Sequence, residues 1–262
     1  MTARPEGPPV TTFAPAPGAA PLPAMVAAQT RYEIRALLRN GEQLLLTLII
    51  PVVLLVLFSV TSLLDLGTGH RVDFLTPGIL ALAVMSTAFT GQAIGTGFER
   101  RYGVLKRLGA TPLPRSGLIA AKTITVIVVE VLQAMVIAAV AFALGWHPHG
   151  DPATVALLLL LGTAAFSGFG LLMAGTLRAE ATLAGANLIY LLLLMLGGVV
   201  FPLTQFPSGV RTVLELLPIS ALADGLRQVL QHGAVLPGRD LLVLACWAVA
   251  GLLLAARFFR WE

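Results

Sequence analysis

Residues 98–115 read FERRYGVLKRLGATPLPR, the most densely charged run in a chain of 262 residues of which only 11% are charged. Read as one helix, Phe98, Tyr102, Leu105 and Leu108 recur at helical spacing and form an apolar stripe. Glu99, Arg100, Gly103, Lys106 and Arg107 fall on the other side, and Arg101 adds to the charge. Gly109 and the pair Pro112 and Pro114 then stop the helix, because proline lacks a donor and pushes its predecessor out of the helical region. Long apolar segments flank the run on both sides. A short charged helix between two membrane spans is a place where a water-soluble partner can hold a membrane protein.

Outward from that run the chain is 57% hydrophobic, and a soluble domain would carry about a quarter of its residues as charges. One core cannot hide so much apolar surface, so the class is an all-α polytopic membrane protein. The net charge of +4 does not point to nucleic acid, since the charges sit at the ends of apolar segments, where they set orientation. Cys246 is the single cysteine and can form neither an intrachain disulfide nor a zinc cluster.

Residues 1–23 are rich in proline and alanine without an apolar signal core, and read as a disordered cytoplasmic tail ahead of a single transmembrane domain over 24–262. Residues 24–42 read as a helix lying in the membrane interface: Arg31, Arg35, Arg39 and Glu42 line one face, and Ile34, Leu37, Leu38 and Leu45 the other. Six apolar segments follow, at about 44–64, 74–97, 117–145, 153–177, 181–201 and 241–259, each near the ~20 residues that a crossing helix needs. Of the 17 basic residues only Arg71, Arg211, Arg227 and Arg239 fall on the outer side when both termini and the 98–115 element are placed in the cytoplasm. Residues 202–240 are broken by Pro202, Pro207, Pro218 and Pro237 into short helices, either re-entrant or part of an ordinary external loop.

Four polar residues stand inside the spans. Glu130, midway along the third, costs about 2.5–3.5 kcal/mol at that depth unless it meets a cavity or a partner. It either lines a translocation path or is a carboxyl satisfied by a neighbour. Gln133 lies one turn on, while Gln92 and Asn187 read as amides that join helices. His147, His149 and Asp151 share a short loop that is too cramped by Pro148 for a closed metal site, and Trp146 reads as an interface anchor.

The spacing Glu99-Arg100-x-x-Gly103-x-Leu105-x-Arg107-Leu108-x-x-Thr111-Pro112-x-x-Arg115 resembles the signature of ABC-2 type transporter permeases, the membrane subunits of bacterial ABC exporters that include the daunorubicin-resistance type. The likeness extends to the interfacial helix, the six spans and a proline-then-arginine stretch from Pro218 to Arg227 before the last of them. It implies a coupling helix at Glu99, Arg100, Arg101, Tyr102, Gly103, Leu105, Lys106, Arg107 and Leu108 that docks on a separate ABC ATP-binding subunit. It also implies a second permease copy, with a homodimer as the default, in the bacterial inner membrane and its lipid. The transported molecule would be hydrophobic or lipid-like, a drug or a lipid. No cofactor is expected on this chain: ATP and Mg²⁺ would sit on the partner, because the nearest approach to a phosphate-cradling loop, Gly117 to Lys122-Thr123, lacks the second glycine and is a residue short. This is a transport permease and not an enzyme. The alternative is a secondary transporter in which Glu130 carries a coupling proton.

Overall fold

The computed structural model of the protein describes residues 18–39, 41–61, 71–199 and 203–259. Most of the tail expected over residues 1–23 therefore lies outside the described residues, as do residues 200–202, which the sequence divides between the fifth apolar segment and the start of the 202–240 region. The described residues are all helix and connection, with no strand among them. Helix α1 runs Leu22–Arg39 and α2 Gly41–Val60. The second span is one continuous helix, Arg71–Arg101, made of α3 (Arg71–Val84), a π-helical stretch Met85–Gly91 and α4 (Gln92–Arg101). After a short α5 (Val104–Gly109) come α6 (Arg115–Ala143), α7 (Pro152–Thr176) and α8 (Ala179–Leu196). Two shorter helices, α9 (Ser208–Leu214) and α10 (Pro218–Leu230), precede α11 (Gly238–Phe258).

Five of these helices are long and apolar enough to cross a membrane. The sixth apolar segment, α2, has 20 residues with Pro51 inside it, about 30 Å of helix. The Arg71–Arg101 helix is buried over most of its length and forms the centre of the bundle. By contrast, α6, α8 and α11 turn rows of large apolar side chains outward: Val128 and Met135, Leu188 and Leu191, Leu242 and Leu253. Such a pattern suits surfaces that meet hydrocarbon.

Glycines set the close crossings. A Cβ on Gly168 of α7 would lie 2.5 Å from the carbonyl carbon of Gly251 in α11, and one on Gly251 would lie 3.1 Å from the Ala165 carbonyl oxygen. The two backbones are therefore in direct contact, as small residues permit inside a bundle. Gly168→Ala should push α7 and α11 apart and cost about 1–3 kcal/mol. Thermal unfolding in detergent should show the loss, whereas Gly95→Ala, which has open space around it, should leave the midpoint close to that of the wild type.

The region after α8 is not a loop resting on the surface. Helix α10 is almost wholly buried and packs on α3, α7 and α11. It runs antiparallel to α7: Leu222 lies against Gly162, Gly225 against Leu158 and Val229 against Gly150, while the His149 N–H donates to the Leu230 carbonyl at 2.9 Å. Gly162 is about 15 Å along α7 from Pro152. The amino end of α10 thus sits well inside the bundle and its carboxyl end returns to the α6–α7 turn. Helix α10 is thus covered by protein on several sides rather than lying on the surface. Trp146, expected at an interface, is instead 6% exposed and packs on Phe142 at 5.2 Å between ring centroids.

Candidate functional site

The 98–115 run does not fold as one helix. Helix α4 ends at Arg101, the Tyr102 N–H donates to the Phe98 carbonyl, and Gly103 takes a left-handed φ of 71° before α5 begins. Glycine adopts that conformation without the Cβ clash that other residues suffer. The consequence is a correction to the stripe. Leu105 is fully buried and anchors α5, but Tyr102 is 67% exposed, its ring stacked at 6.1 Å on that of Phe98. The spacing fits a continuous helix equally well, so only the glycine could have signalled the elbow. Gly103→Ala should cost about 1–2 kcal/mol. Gly109→Ala, at the end of α5 and without a positive φ, should cost nothing, and thermal unfolding of the two variants side by side checks the difference.

The charges of the run divide into three groups. Glu99 turns inward: its Oε2 accepts from the Lys122 ammonium at 2.7 Å, and Lys122 also reaches Glu33 at 3.2 Å. This triad ties α1, α4 and α6 together. Arg100 donates to the Leu177 carbonyl and Arg101 pairs with Glu180, so both fasten the end of α4 to the α7–α8 turn. Lys106 and Arg107 are exposed on α5, and neither side chain has a hydrogen-bond or ion-pair partner among the described residues. Leu108 is half-buried beneath them, and the Thr111 N–H and hydroxyl both donate to its carbonyl, closing the turn.

Deeper in the bundle, Gln133 joins three elements. Its Oε1 accepts from Thr87 at 2.9 Å and its amide nitrogen donates to the Thr47 carbonyl at 2.9 Å, linking α6, the π-helical stretch and α2. Glu130 shares a hydrogen bond with the Thr163 hydroxyl of α7, while its Oε1 is shut off from solvent and unpartnered. Gln92 was expected to join helices. It is buried, but its amide has no hydrogen-bond partner, and it borders a polar crevice of about 290 Å³ that also contains Glu33, Thr96 and Lys122. Asn187 lies exposed on α8, apart from the other three.

At the opposite end, Arg227 is the residue the sequence reading undervalued. Its guanidinium is buried 4.0 Å above the Phe74 ring and donates to the Val199 carbonyl at 2.9 Å, to the Phe74 carbonyl at 3.4 Å and to Asp224 at 3.0 Å. Gly78 makes the room, since a Cβ there would lie 2.9 Å from the guanidinium. Nearby, hydrogen bonds from Arg211 and Arg239 hold the Glu215 carboxyl below the usual range. In the α6–α7 turn, Asp151 does not face the histidines. Its carboxylate accepts from the Thr154 N–H and caps α7, and backbone hydrogen bonds from Ala153 and Thr154 lower its pKa.

A buried central helix, an elbow of exposed basic residues at one end and a buried short helix locked by an arginine at the other occur together over one stretch of chain. The family profile described as ABC-2 type transporter matches residues 26–230, from α1 to the end of α10. The chain belongs to the ABC-2 type transporter family. The matched residues include the α5 elbow, the triad and Arg227. The chain is also similar to the linearmycin resistance permease protein LnrN of Bacillus subtilis (strain 168), 29% identical over 162 residues. That match covers 60% of this chain and 41% of the relative.

Proposed function

We propose that this ABC-2 transporter is the permease subunit of an ATP-driven exporter and that α5 is its docking element for a separate ATPase. The observation that carries the reading is the division of charge at the elbow. Glu99, Arg100 and Arg101 are engaged within the chain, and Lys106 and Arg107 are presented outward on a short helix anchored by Leu105. A partner with a complementary acidic groove would grip those two cations. Because α5 is joined through Gly103 to the central helix and through the Thr111–Pro114 turn to α6, a shift of the partner is passed to two spans at once. ATP and Mg²⁺ belong to that partner.

In this reading the α5 end and both termini face the cytoplasm of a bacterial inner membrane, with Arg31, Arg35 and Arg39 of α1 toward lipid headgroups or solvent. A second permease copy completes the path, by default an identical one. The outward apolar faces and the likeness to a resistance permease favour a hydrophobic or lipid-like cargo.

The test is purification of the tagged chain in mild detergent from its native membrane, followed by an ATPase assay. A co-purifying ATP-binding subunit is expected, and the K106E/R107E double variant should lose it while retaining its own thermal midpoint. Glu99→Arg is the wrong probe, since it would break the buried triad as well. A chain that purifies alone and transports on a proton gradient would overturn the reading in favour of a proton-coupled carrier built on Glu130.

A further inference from the structure

Between the carboxyl end of α3, the middle of α6 and the amino half of α7 lies a crevice of about 280 Å³, walled by Leu80, Val84, Ala134 and Leu159. That is room for a length of alkyl chain and not merely for single waters. Its rim is apolar and open, with Val131 and Leu160 each about half exposed, so it is entered from the side of the bundle. Among the described residues no lysine, arginine or histidine lines it. One ionisable group does: Glu130.

With Glu130 ionised, the hydrogen bonds around it do not balance. The Thr163 hydroxyl has one hydrogen and two acceptors, the Leu159 carbonyl at 2.8 Å and the Glu130 Oε2, so it can serve only one of them. Oε1 has no partner. The carboxyl is therefore short of donors, and a carboxyl without donors in an apolar wall is costly. The last torsion of a glutamate side chain is soft, so a carboxyl oxygen can swing toward the crevice that the residue lines.

We propose that this crevice binds a basic amphiphile, with an amine against Glu130 and the alkyl chain along the Leu80, Val84, Ala134 and Leu159 wall. An ammonium supplies both what the carboxyl lacks, N–H donors and the opposite charge, while a neutral alcohol supplies one donor and no charge. The Lys122 ammonium cannot fill the role, since it is taken by Glu33 and Glu99 nearer the elbow. Binding here does not depend on the ATPase, and its failure would leave the docking reading untouched.

The test is isothermal titration of the permease in phosphatidylcholine nanodiscs, which contain no primary amine, with dodecylamine and with dodecanol. Saturable dodecylamine binding in excess of empty discs is expected. Glu130→Gln should weaken it about ten- to a hundredfold, the range for a hydrogen bond to a charged group, and should leave dodecanol binding unchanged. Ala156→Trp, on the exposed rim, keeps the carboxyl but fills the volume and should abolish amine binding. Equal amine affinity in wild type and Glu130→Gln, or no saturable binding, overturns the proposal. If Glu130→Gln does not fold, the tryptophan variant decides: retained binding overturns the site and lost binding supports it.

Discussion

Arg227→Met is expected to destabilise the folded permease by about 2–4 kcal/mol, because the half-buried Asp224 carboxylate and two carbonyls lose their donor together. The methionine fills much of the volume over the Phe74 ring, so the loss is not one of packing. What remains is the Asp224 carboxylate and the Phe74 and Val199 carbonyls, all facing a side chain that donates nothing. These acceptors belong to three different places: α10 itself, the top of α3 and the end of the stretch after α8. The arginine is the residue that holds the buried helix α10 to both neighbours. Lysine should rescue only in part, because a point charge can reach the carboxylate or one carbonyl but not the three directions of a guanidinium. Asp224→Asn, which keeps the arginine and its two carbonyls, should cost less than either. Thermal unfolding of the detergent-solubilised chain would rank the variants methionine, lysine and asparagine from least to most stable. A methionine variant as stable as the wild type would show that α10 is held by its apolar contacts alone.

How much of this was legible in the sequence differs by the range of the interaction. The helices follow from uninterrupted apolar runs, which is local information, and the resemblance to the family rested on the motif spacing from Glu99 to Arg115 between two of those runs. The elbow at Gly103 was locally ambiguous, since a lone glycine within a helical pattern is tolerated in one place and ends a helix in another. The position of Glu99 was hidden for a different reason. Among arginines it reads as part of a solvated face, and its true partner is Lys122, 23 residues later and itself shared with Glu33 of α1. The π-helical stretch Met85–Gly91 left no sign of its own. Its backbone lies against Gly170 of α7, where a Cβ would come within 2.9 Å of the Phe89 carbonyl oxygen, and that glycine gains its meaning only once the two helices are side by side. In the sequence Arg227 stands out only as an outer-side basic residue at the end of the proline-then-arginine stretch, because its partners Phe74 and Val199 lie 153 and 28 residues away.

The triad at Lys122 gives the second large effect and separates holding the fold from transmitting motion. Lys122→Met should destabilise the chain by about 3–5 kcal/mol, since Glu33 and Glu99 then face each other in a half-buried site with no cation between them. The triple variant K122M/E33Q/E99Q removes all the charges together and should recover most of that loss, because a neutral set in the same space carries no unpaired ion. Thermal unfolding of the two variants measures the difference, and equal midpoints for Lys122→Met and the wild type would mean that the ammonium does not hold α1 to α4. The recovered triple variant then asks a second question. Helix α1 is tied to α4 by this set of charges and packs on α6. If α5 passes a partner's movement to the spans through a rigid junction of α1, α4 and α6, the triple variant should fold and bind the ATPase yet lose most of its cargo-stimulated hydrolysis. Full stimulation in a folded triple variant would assign the triad to stability alone and leave the Thr111–Pro114 turn as the route of coupling.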